Sequence, residues 1–448
     1  MGVKAGLKRT FASATQGQLD LSNRKGWKPL LYAIAFLHTV TQERRKFGPI
    51  GWNIPYEFNE GDLHACMTFA QNHMDGLGPK QGVSWKTVRY MLGCAQYGGR
   101  VTDSRDNRLL ETFCSAWFGD FMFSKDFCFY KGYEIPVFKT LQEYRDYIEA
   151  MPLTDSPECF GLHPNADISY QTTKAGTTLS TIVDIQPKDS GGGGGETREE
   201  AVTRMCNEML PKVPKNFNFH EVKDRLHKMN HLAPLHIFLK QEVERIDKVI
   251  SLVKRTLKNL IMAIEGTIIM NAALKNAFDN LYDARVPAAW TKISWISASI
   301  GFWFTELIDR VEQFHRWVYH GRPKSYWMTG FFNPTGFLTA MRQEVTRAHK
   351  GWALDAVVLK NDVLKISKEE VDSSPAEGCY IHGYFIEGAS WNRKDAKLQE
   401  SKNKVMFEAM PVVHVYAINA HSGHDPKYYE CPVFKKPRRT DLNVRLTP

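Results

Sequence analysis

Apolar residues show their most regular spacing between positions 234 and 283. The steps alternate between four and three residues through Leu239, Val243, Ile246, Ile250, Val253, Leu257, Leu260 and Ile264. A mean step of 3.5 residues places such positions along one side of an α-helix. If the helix is unbroken over 234–283, it forms a rod of about 75 Å. This rod is long enough to lie across a large neighbour, although one long helix of a local bundle is the more frequent arrangement.

Three shorter helices are predicted in the first third of the sequence. Between Trp27 and Phe47 the apolar residues recur at steps of three and four, which predicts an amphipathic helix. Ser84 is placed to cap a second helix, and Gly98-Gly99 is placed to end it in left-handed backbone geometry. A third helix should begin at Asp103 or the residue after it. We therefore expect residues 26 to about 150 to form a compact helical unit.

Two stretches interrupt the helical pattern in the middle of the sequence. Prolines between Pro152 and Pro164 push the residues before them out of helical geometry, so we expect a domain boundary there. The run Gly191–Gly195 is typical of a linker, and it predicts a flexible loop over 187–196.

The spacing becomes strand-like in the last part of the sequence. Asn333 and Pro334 predict the start of a helix that ends at Gly351. Three later segments have the two-residue period or the β-branched and aromatic content of strands: 353–360, 378–387 and 405–419. These segments predict a small antiparallel sheet or barrel.

The composition is that of a globular protein with more than one domain. The chain has 448 residues, of which 43% are hydrophobic and 24% charged, and single cores rarely extend over such a length. Uncharged runs are shorter than the roughly 20 residues needed to cross a bilayer, and the N-terminus does not resemble a secretory signal. We expect a protein that stays inside the cell, unless Met1 lies within a longer gene. The eight cysteines form no CxxC pair and are interpreted as reduced, mostly buried thiols.

The sequence contains none of the short motifs that mark common reaction centres. It has no GxxxxGK[ST] phosphate loop, no GxSxG and no HExxH. Helix capping explains Asp103 and Asp106. His421, His424 and Cys431 are residue types that bind zinc, but a fourth ligand at a known spacing is missing. We therefore expect no catalytic, cofactor-binding or metal-binding residues in this protein.

Lys435, Lys436, Arg438 and Arg439 form the densest basic cluster. Such a cluster can attract phosphates, acidic protein surfaces or a nuclear import receptor. Nucleic-acid modules usually add aromatic residues for stacking, and this cluster has none beside it. With Asp441 as a nearby counter-charge, we interpret the cluster as a solvated edge beside the sheet.

Longer strings of the sequence resemble dynein heavy chains. Resemblance to their final AAA+ module and its lid is carried by GLKRTF (6–11), QERRKFGPIGWNIPYEFNEGDL (42–63), YGGRVTDSRDNRLL (97–110) and FGLHPNADISYQ (160–171). Resemblance to their C-terminal domain is carried by GFWFTELIDRV (301–311), WMTGFFNPTGFLTAMRQEVTRAHKGWALD (327–355) and PVFKKPRRTDL (432–442). These strings are most similar to axonemal outer-arm heavy chains.

The resemblance implies an α+β, multidomain protein in four parts. Residues 1–25 would end the large subdomain of the last AAA+ module, and 26–165 would be its helical lid. Residues 170–325 would be the helical part of the C-terminal domain, and 326–448 its small antiparallel β-barrel. Relatives continue beyond the position of Pro448, so a missing closing strand would leave an open edge that favours association.

The resemblance also implies a function without catalysis in these 448 residues. We expect the non-catalytic C-terminal part of an axonemal dynein heavy chain, the ATP-driven, minus-end-directed microtubule motor of cilia and flagella. ATP and Mg would bind in upstream modules. The expected partners are the rest of the heavy-chain ring and, through the parent complex, intermediate chains, light chains and microtubules, with no membrane or nucleic acid. The expected location is the cytoplasm, the cytoskeleton and the axoneme.

Three hypotheses about mechanism and function follow. In the first, the lid and the long helix act as a rigid strut that couples the last ring module to its neighbours. Alternatively, the net charge of +9 indicates a phosphate- or nucleic-acid-binding protein, whose binding would fall steeply with salt. The remaining alternative is an enzyme with a dispersed site, which would show saturable turnover.

Overall fold

Two hydrophobic cores organise the described residues. The computed structural model describes residues 2–78, 81–185, 196–229 and 233–420, and the backbone of 431–434 and 442–446. The first core collects buried residues between Val3 and Ala166, and the second collects those between Val202 and Val415.

The described residues include fifteen α-helices. They are α1 Val3–Ser13, α2 Gln16–Leu19, α3 Trp27–Glu43, α4 Glu60–Asp75, α5 Trp85–Tyr90, α6 Ser104–Trp117, α7 Leu141–Ala150, α8 Ala166–Ile185, α9 Arg198–Met209, α10 Phe219–Lys228, α11 Pro234–Ile264, α12 Ala272–Tyr282, α13 Ala288–Ile293, α14 Ile300–His320 and α15 Pro334–Ala348. A 3-10 turn, Arg44–Ile50, follows α3, and a π-helical turn, Met91–Gln96, follows α5.

Helix α3 is the centre of the first core. Its side chains from Leu30 to Val40 are buried around the whole circumference. α1 and α4 pack against it, and Phe36 stacks on Phe129 with 4.0 Å between the ring centres. The predicted helix is therefore confirmed, but its predicted amphipathic character is wrong because neighbours cover every side of it.

The predicted start positions of α5 and α6 are correct, but only one of the two predicted capping contacts forms. Asp103 caps α6 by accepting hydrogen bonds from the N–H groups of the second and third residues after it. Ser84 precedes α5 as predicted, but its hydroxyl lies 2.9 Å from the Thr87 hydroxyl and caps no backbone N–H. The left-handed geometry predicted for Gly98 and Gly99 is wrong, since neither has a positive φ. A Cβ on Gly98 would lie 2.1 Å from the Gly93 carbonyl oxygen, so close backbone approach explains this glycine.

Helix α11 is the centre of the second core. All of its seam residues are buried except Ile264, which is partly buried, and α9, α12, α13, α14 and α15 pack around it. α11 has 31 residues, or about 46 Å. The unbroken rod over 234–283 is wrong, because the backbone turns at Gly266 with φ 79° and Asn271 caps α12 separately. The seam residues pack against neighbouring helices of the same protein. The long seam therefore no longer supports the strut hypothesis.

The described strands are short. They are β1 Cys128–Tyr130, β2 Tyr133–Glu134, β3 Ser325–Trp327, β4 Val357–Val363, β5 Cys379–His382, β6 Phe385–Glu387, β7 Ser390–Asn392, β8 Lys397–Gln399, β9 Phe407–Ala409, β10 Val413–Asn419, β11 Cys431–Phe434 and β12 Leu442–Leu446. The largest sheet has the order β3-β5-β10-β4, and the others are the pairs β1-β2, β6-β9, β7-β8 and β11-β12.

The predicted barrel is wrong for the part of the protein that the structure describes, where the largest sheet is open. Closure needs every strand to pair with two neighbours, whereas β3 and β4 each pair with one. The sheet is also not purely antiparallel, because β3 runs parallel to β5. The backbone leaves β3 through α15 before it returns, and such a crossover permits parallel pairing. Each of the three segments predicted as strands contains a strand, although Leu354–Ala356 in the first of them forms a 3-10 turn before β4. The Asn333 cap of α15 is confirmed.

Candidate functional site

A buried carboxylate, Asp106, organises the first core. It accepts hydrogen bonds from the Asn53 and Ile54 N–H groups at 3.0 and 3.2 Å and from the Tyr56 hydroxyl at 3.0 Å. Burial raises its pKa, and these three donors oppose the rise. Asp106 therefore fastens the segment after α3 to α6. The interpretation of Asp103 as a cap is confirmed, but Asp106 has this different role.

A buried guanidinium, Arg44, fixes the end of α3. It donates to the carbonyl of Gly51 at 3.0 Å and to that of Phe160. Its charge lies 5.4 Å from the ring centre of Trp52 and 5.3 Å from that of Phe113. Burial lowers the pKa of Arg44 to about 10, so the group remains charged at neutral pH. Its contacts hold the 157–160 turn against α3.

The second core uses its buried charges in the same way. Arg310 stacks 3.8 Å from the ring centre of Trp295 and donates to the Thr329 carbonyl at 3.1 Å. On α11, the buried carboxylate of Glu242 accepts a hydrogen bond of 2.6 Å from the Phe332 N–H. These contacts join α11 and α14 to the segment between β3 and α15.

Asn165, immediately before α8, connects the two parts of the protein. Its side chain is only 6% exposed. The amide nitrogen donates to the carbonyls of Lys402 and Val405 at 2.7 and 3.0 Å, and the amide oxygen accepts from the Lys404 N–H at 2.7 Å. Lys404 has φ 66°, a conformation that costs energy for a residue with a Cβ. One side chain therefore satisfies three backbone groups of a turn more than 230 residues away.

The turn at 402–405 is itself tied to the small strand pairs around it. The Lys402 ammonium lies 2.9 Å from a carboxylate oxygen of Glu408 on β9. Glu408 also accepts from the buried Ser390 hydroxyl on β7, and Ser390 accepts from the Gln399 amide on β8 at 3.2 Å. The hydrogen bonds that Glu408 accepts lower its pKa, led by that from Ser390. These contacts link the 402–405 turn, which binds Asn165, to β7, β8 and β9.

An aromatic cage around Lys46 fixes the start of α8. The ammonium lies 4.9 Å from the ring centre of Phe160, 5.1 Å from that of Phe47 and 5.5 Å from that of Tyr170. Tyr170 lies on α8, whereas Phe47 and Phe160 lie before it in the first core. The cage therefore joins the start of α8 to the first core. We call Asn165, residues 402–405, Lys46 and Tyr170 the core junction.

The far end of α8 reaches toward the second core. Asp184, in its last turn, pairs with Arg285 at 3.0 Å. Between its two ends the helix is largely exposed, and Ala166 is its buried residue. α8 therefore connects the two cores by contacts at its ends. No sequence pattern predicted this connection, although Asn165 and Tyr170 both lie in a string that carries the family resemblance.

Most of the candidate residues singled out from the sequence lie outside the described residues. This is true of His421, His424, the basic cluster Lys435 to Arg439 and most of the loop 187–196, and only the backbone of Cys431 is described. Within the described ranges, no group of three His, Cys, Asp or Glu side chains could hold a metal ion. No helix in those ranges is both long and apolar enough to cross a membrane.

The predicted burial of the cysteines is largely confirmed. Of the seven described cysteines, five are buried, while Cys94 is half-buried and Cys128 is exposed. Burial raises the pKa of the Cys114 thiol to about 12, so this thiol remains protonated. The buried cysteines therefore act as small apolar residues of the two cores.

Similarity to known proteins extends over nearly the whole sequence. The family model of the AAA lid domain of dynein heavy chains matches residues 27–166, and that of the C-terminal domain of dynein heavy chains matches residues 172–447. The sequence is 59% identical to dynein axonemal heavy chain 8 of Mus musculus over 98% of its length. It is 56% identical to dynein axonemal heavy chain 5 of Mus musculus over 99% of its length, and 41% identical to the dynein gamma chain of the flagellar outer arm of Chlamydomonas reinhardtii over 100%. It spans 9% of the first of these relatives and 10% of the other two.

Proposed function

Because the protein belongs to the dynein heavy chain family, we propose that it acts as the non-catalytic C-terminal part of an axonemal heavy chain. The observation that carries this proposal is the consecutive match to the AAA lid domain and the C-terminal domain. The high identity to axonemal heavy chains supports the axoneme of a cilium or flagellum as its location. Motor activity, with ATP and Mg bound in upstream modules, would belong to the parent molecule.

The proposed division follows the same order. Residues 1–25 would end the large subdomain of the last AAA+ module, 26–165 would form its lid, and 170–325 and 326–448 would form the C-terminal domain. Residues of α1 lie in the same core as those of α3, so the end of the large subdomain would pack directly against the lid. The two parts of the proposed C-terminal domain also share one core, since buried residues of α11 and of β5 belong to it together.

Within the parent molecule, we assign the core junction the role of keeping the lid and the C-terminal domain in a fixed relation. The buried amide of Asn165 binds the 402–405 turn, and the cage around Lys46 holds the start of α8 against the first core. A fixed relation would let a shift of the last ring module move the C-terminal domain as a unit. The expected partners are then the rest of the ring and, through the parent complex, intermediate chains, light chains and microtubules.

Two measurements test the proposal at different levels. The purified 448-residue protein should neither bind nor hydrolyse ATP in a saturable way, and saturable turnover would instead support the alternative of an enzyme with a dispersed site. In the full heavy chain, Asn165→Ala should alter ATPase rate or gliding velocity, whereas the matched surface variant Asp167→Ala should leave both unchanged. Equal behaviour of the two variants in a correctly assembled motor would contradict the assigned role of the junction.

A further inference from the structure

Helix α11 has a second regular face, opposite its buried seam. The steps along this outer face also alternate between four and three, through Ile237, Gln241, Glu244, Lys248, Ser251, Arg255, Lys258 and Met262. All of these residues are exposed except Glu244, which is half-buried. The helix therefore presents one straight row of side chains to the surroundings.

From Lys248 onward, this row is strongly basic. From Lys248 to Ile264 the sequence contains Lys248, Lys254, Arg255 and Lys258 and no acidic residue. On the outer face, Lys248, Arg255 and Lys258 occupy about 15 Å of helix. We call these three residues the basic stripe.

A neighbouring loop adds positive charge to one side of the stripe. The Asn216 amide donates to the Ser251 hydroxyl at 2.7 Å and accepts from the Lys254 ammonium at 2.9 Å. These contacts hold the loop against α11, and the exposed Lys215 is the residue before Asn216 in this loop. A carboxylate in this region, Asp247, accepts hydrogen bonds from the N–H of Phe217 and the amide of Asn216.

The positive charges of the stripe are not paired with carboxylates in the described part of the protein, unlike the charges near the start of the same helix. Near its start, Lys240 pairs with Glu244 at 3.9 Å and Arg245 with Glu242 at 3.6 Å. By contrast, none of the three stripe residues has a carboxylate within 4 Å among the described residues. Burial is the main cause that lowers the pKa of Lys254; the carboxylate of Asp247 opposes this, and the charge of Lys258 adds a smaller lowering.

The helix dipole does not account for this arrangement. A cation gains from the dipole only within the last turn of a helix. Lys258 lies six residues before the end of α11 at Ile264, and Lys248 lies still further away. The basic residues are therefore not explained as stabilisers of the helix end.

We propose that the basic stripe binds an acidic segment of another polypeptide, with carboxylates spaced to reach Lys248, Arg255 and Lys258 together. A protein partner fits better than a nucleic acid, since the row is straight and convex and has no aromatic side chain for base stacking. At its end, the exposed Met262 offers an apolar contact that a protein side chain can use. This inference is independent of the motor activity proposed for the parent molecule.

Fluorescence anisotropy with the full 448-residue protein and a short labelled polyglutamate peptide tests the proposal. The triple variant Lys248→Glu, Arg255→Glu, Lys258→Glu should weaken binding about tenfold or more, from three exposed charge pairs. The control, Lys86→Glu, Lys125→Glu, Lys174→Glu, changes the net charge equally at exposed lysines outside α11 and should bind as the unaltered protein does. Binding should also weaken with added salt.

Three outcomes would overturn the proposal. One is equal loss of binding in both triple variants, which would mean attraction to net charge alone. Another is peptide binding that the stripe variant leaves unchanged. The third is tighter, stripe-dependent binding of duplex DNA than of the peptide, which would assign the stripe to nucleic acid. Circular dichroism checks folding, and the milder pair Lys248→Gln, Lys258→Gln replaces the triple variant if that variant misfolds.

Discussion

Replacement of Asn165 by alanine should open the core junction while both cores stay folded. The change removes three hydrogen bonds to the 402–405 turn. Each neutral hydrogen bond contributes about 1 kcal/mol net, so the turn should lose about 3 kcal/mol unless water takes the place of the amide. Lys404 then keeps its unfavourable positive φ without the acceptor that holds it.

Amide hydrogen exchange measures this loss directly. A loss of about 3 kcal/mol corresponds to about a hundredfold fall in protection of the Lys404 amide, because every 1.4 kcal/mol is tenfold. Amides in the middle of α3 and α11 should keep their protection. Asn165→Asp retains the acceptor for the Lys404 N–H but loses the donor to Lys402 and Val405, so protection of Lys404 should fall less.

The matched control for this experiment is Asp167→Ala, two residues further on and exposed. It should leave exchange at Lys404 unchanged. If Asn165→Ala and Asp167→Ala give the same exchange at Lys404, the assignment of the junction to the Asn165 amide is wrong. A uniform loss of protection in both cores would also refute the reasoning, since it would make Asn165 a determinant of global stability.

Three further predictions concern stability, each measured by denaturant unfolding. Gly98→Ala should lower the free energy of unfolding by about 1–3 kcal/mol through overpacking, because the added Cβ would meet the Gly93 carbonyl. Gly99→Ala, which has open space around its Cβ, should leave this free energy nearly unchanged. Equal losses in the two variants would contradict the prediction. Burial lowers the pKa of His38 to about 4, so the folded state holds it neutral while the unfolded state binds a proton below about pH 6.5. Because of His38, the free energy of unfolding should therefore fall by about 2 kcal/mol from pH 7 to pH 5. If the His38→Asn variant shows the same pH dependence of this free energy as the unaltered protein, the prediction is wrong. Leu257→Ala should lower the free energy of unfolding by about 2–5 kcal/mol, because Leu257 is buried in the second core. Ile269→Ala should change it by almost nothing, because Ile269 is 89% exposed. A small effect of Leu257→Ala would argue against a close-packed seam.

Local signals in the sequence predicted local structure well. The caps at Asp103 and Asn333 were predictable because a capping side chain binds backbone only two or three residues away. The length of α11 was predicted wrongly. The regular apolar spacing before Gly266 was extended past this glycine, which ends the helix, and past Asn271, which caps the next one. The all-round burial of α3 was also missed, because a periodic stripe shows which side is apolar and does not show that neighbours cover the other sides.

The core junction was beyond the reach of sequence patterns for a physical reason. Asn165 binds the backbone groups of a turn, and backbone groups are the same in every residue, so the partner carries no signature. The cage around Lys46 has the same limitation, because Phe47 and Phe160 are ordinary core residues until α8 brings Tyr170 beside them. Both contacts depend on the packing of distant segments, which pattern analysis does not supply.

The two faces of α11 separate folding from recognition along one helix. The inner period is apolar and buried, so a change such as Leu257→Ala acts on stability. The outer row has the same spacing but is largely exposed, and it is basic from Lys248 onward. Reversing the charge of Arg255 should therefore alter binding and leave the unfolding free energy within about 0.5 kcal/mol. If reversal at Arg255 destabilised the protein as much as Leu257→Ala, the outer row would have to belong to the fold, and its assignment to a partner would fail.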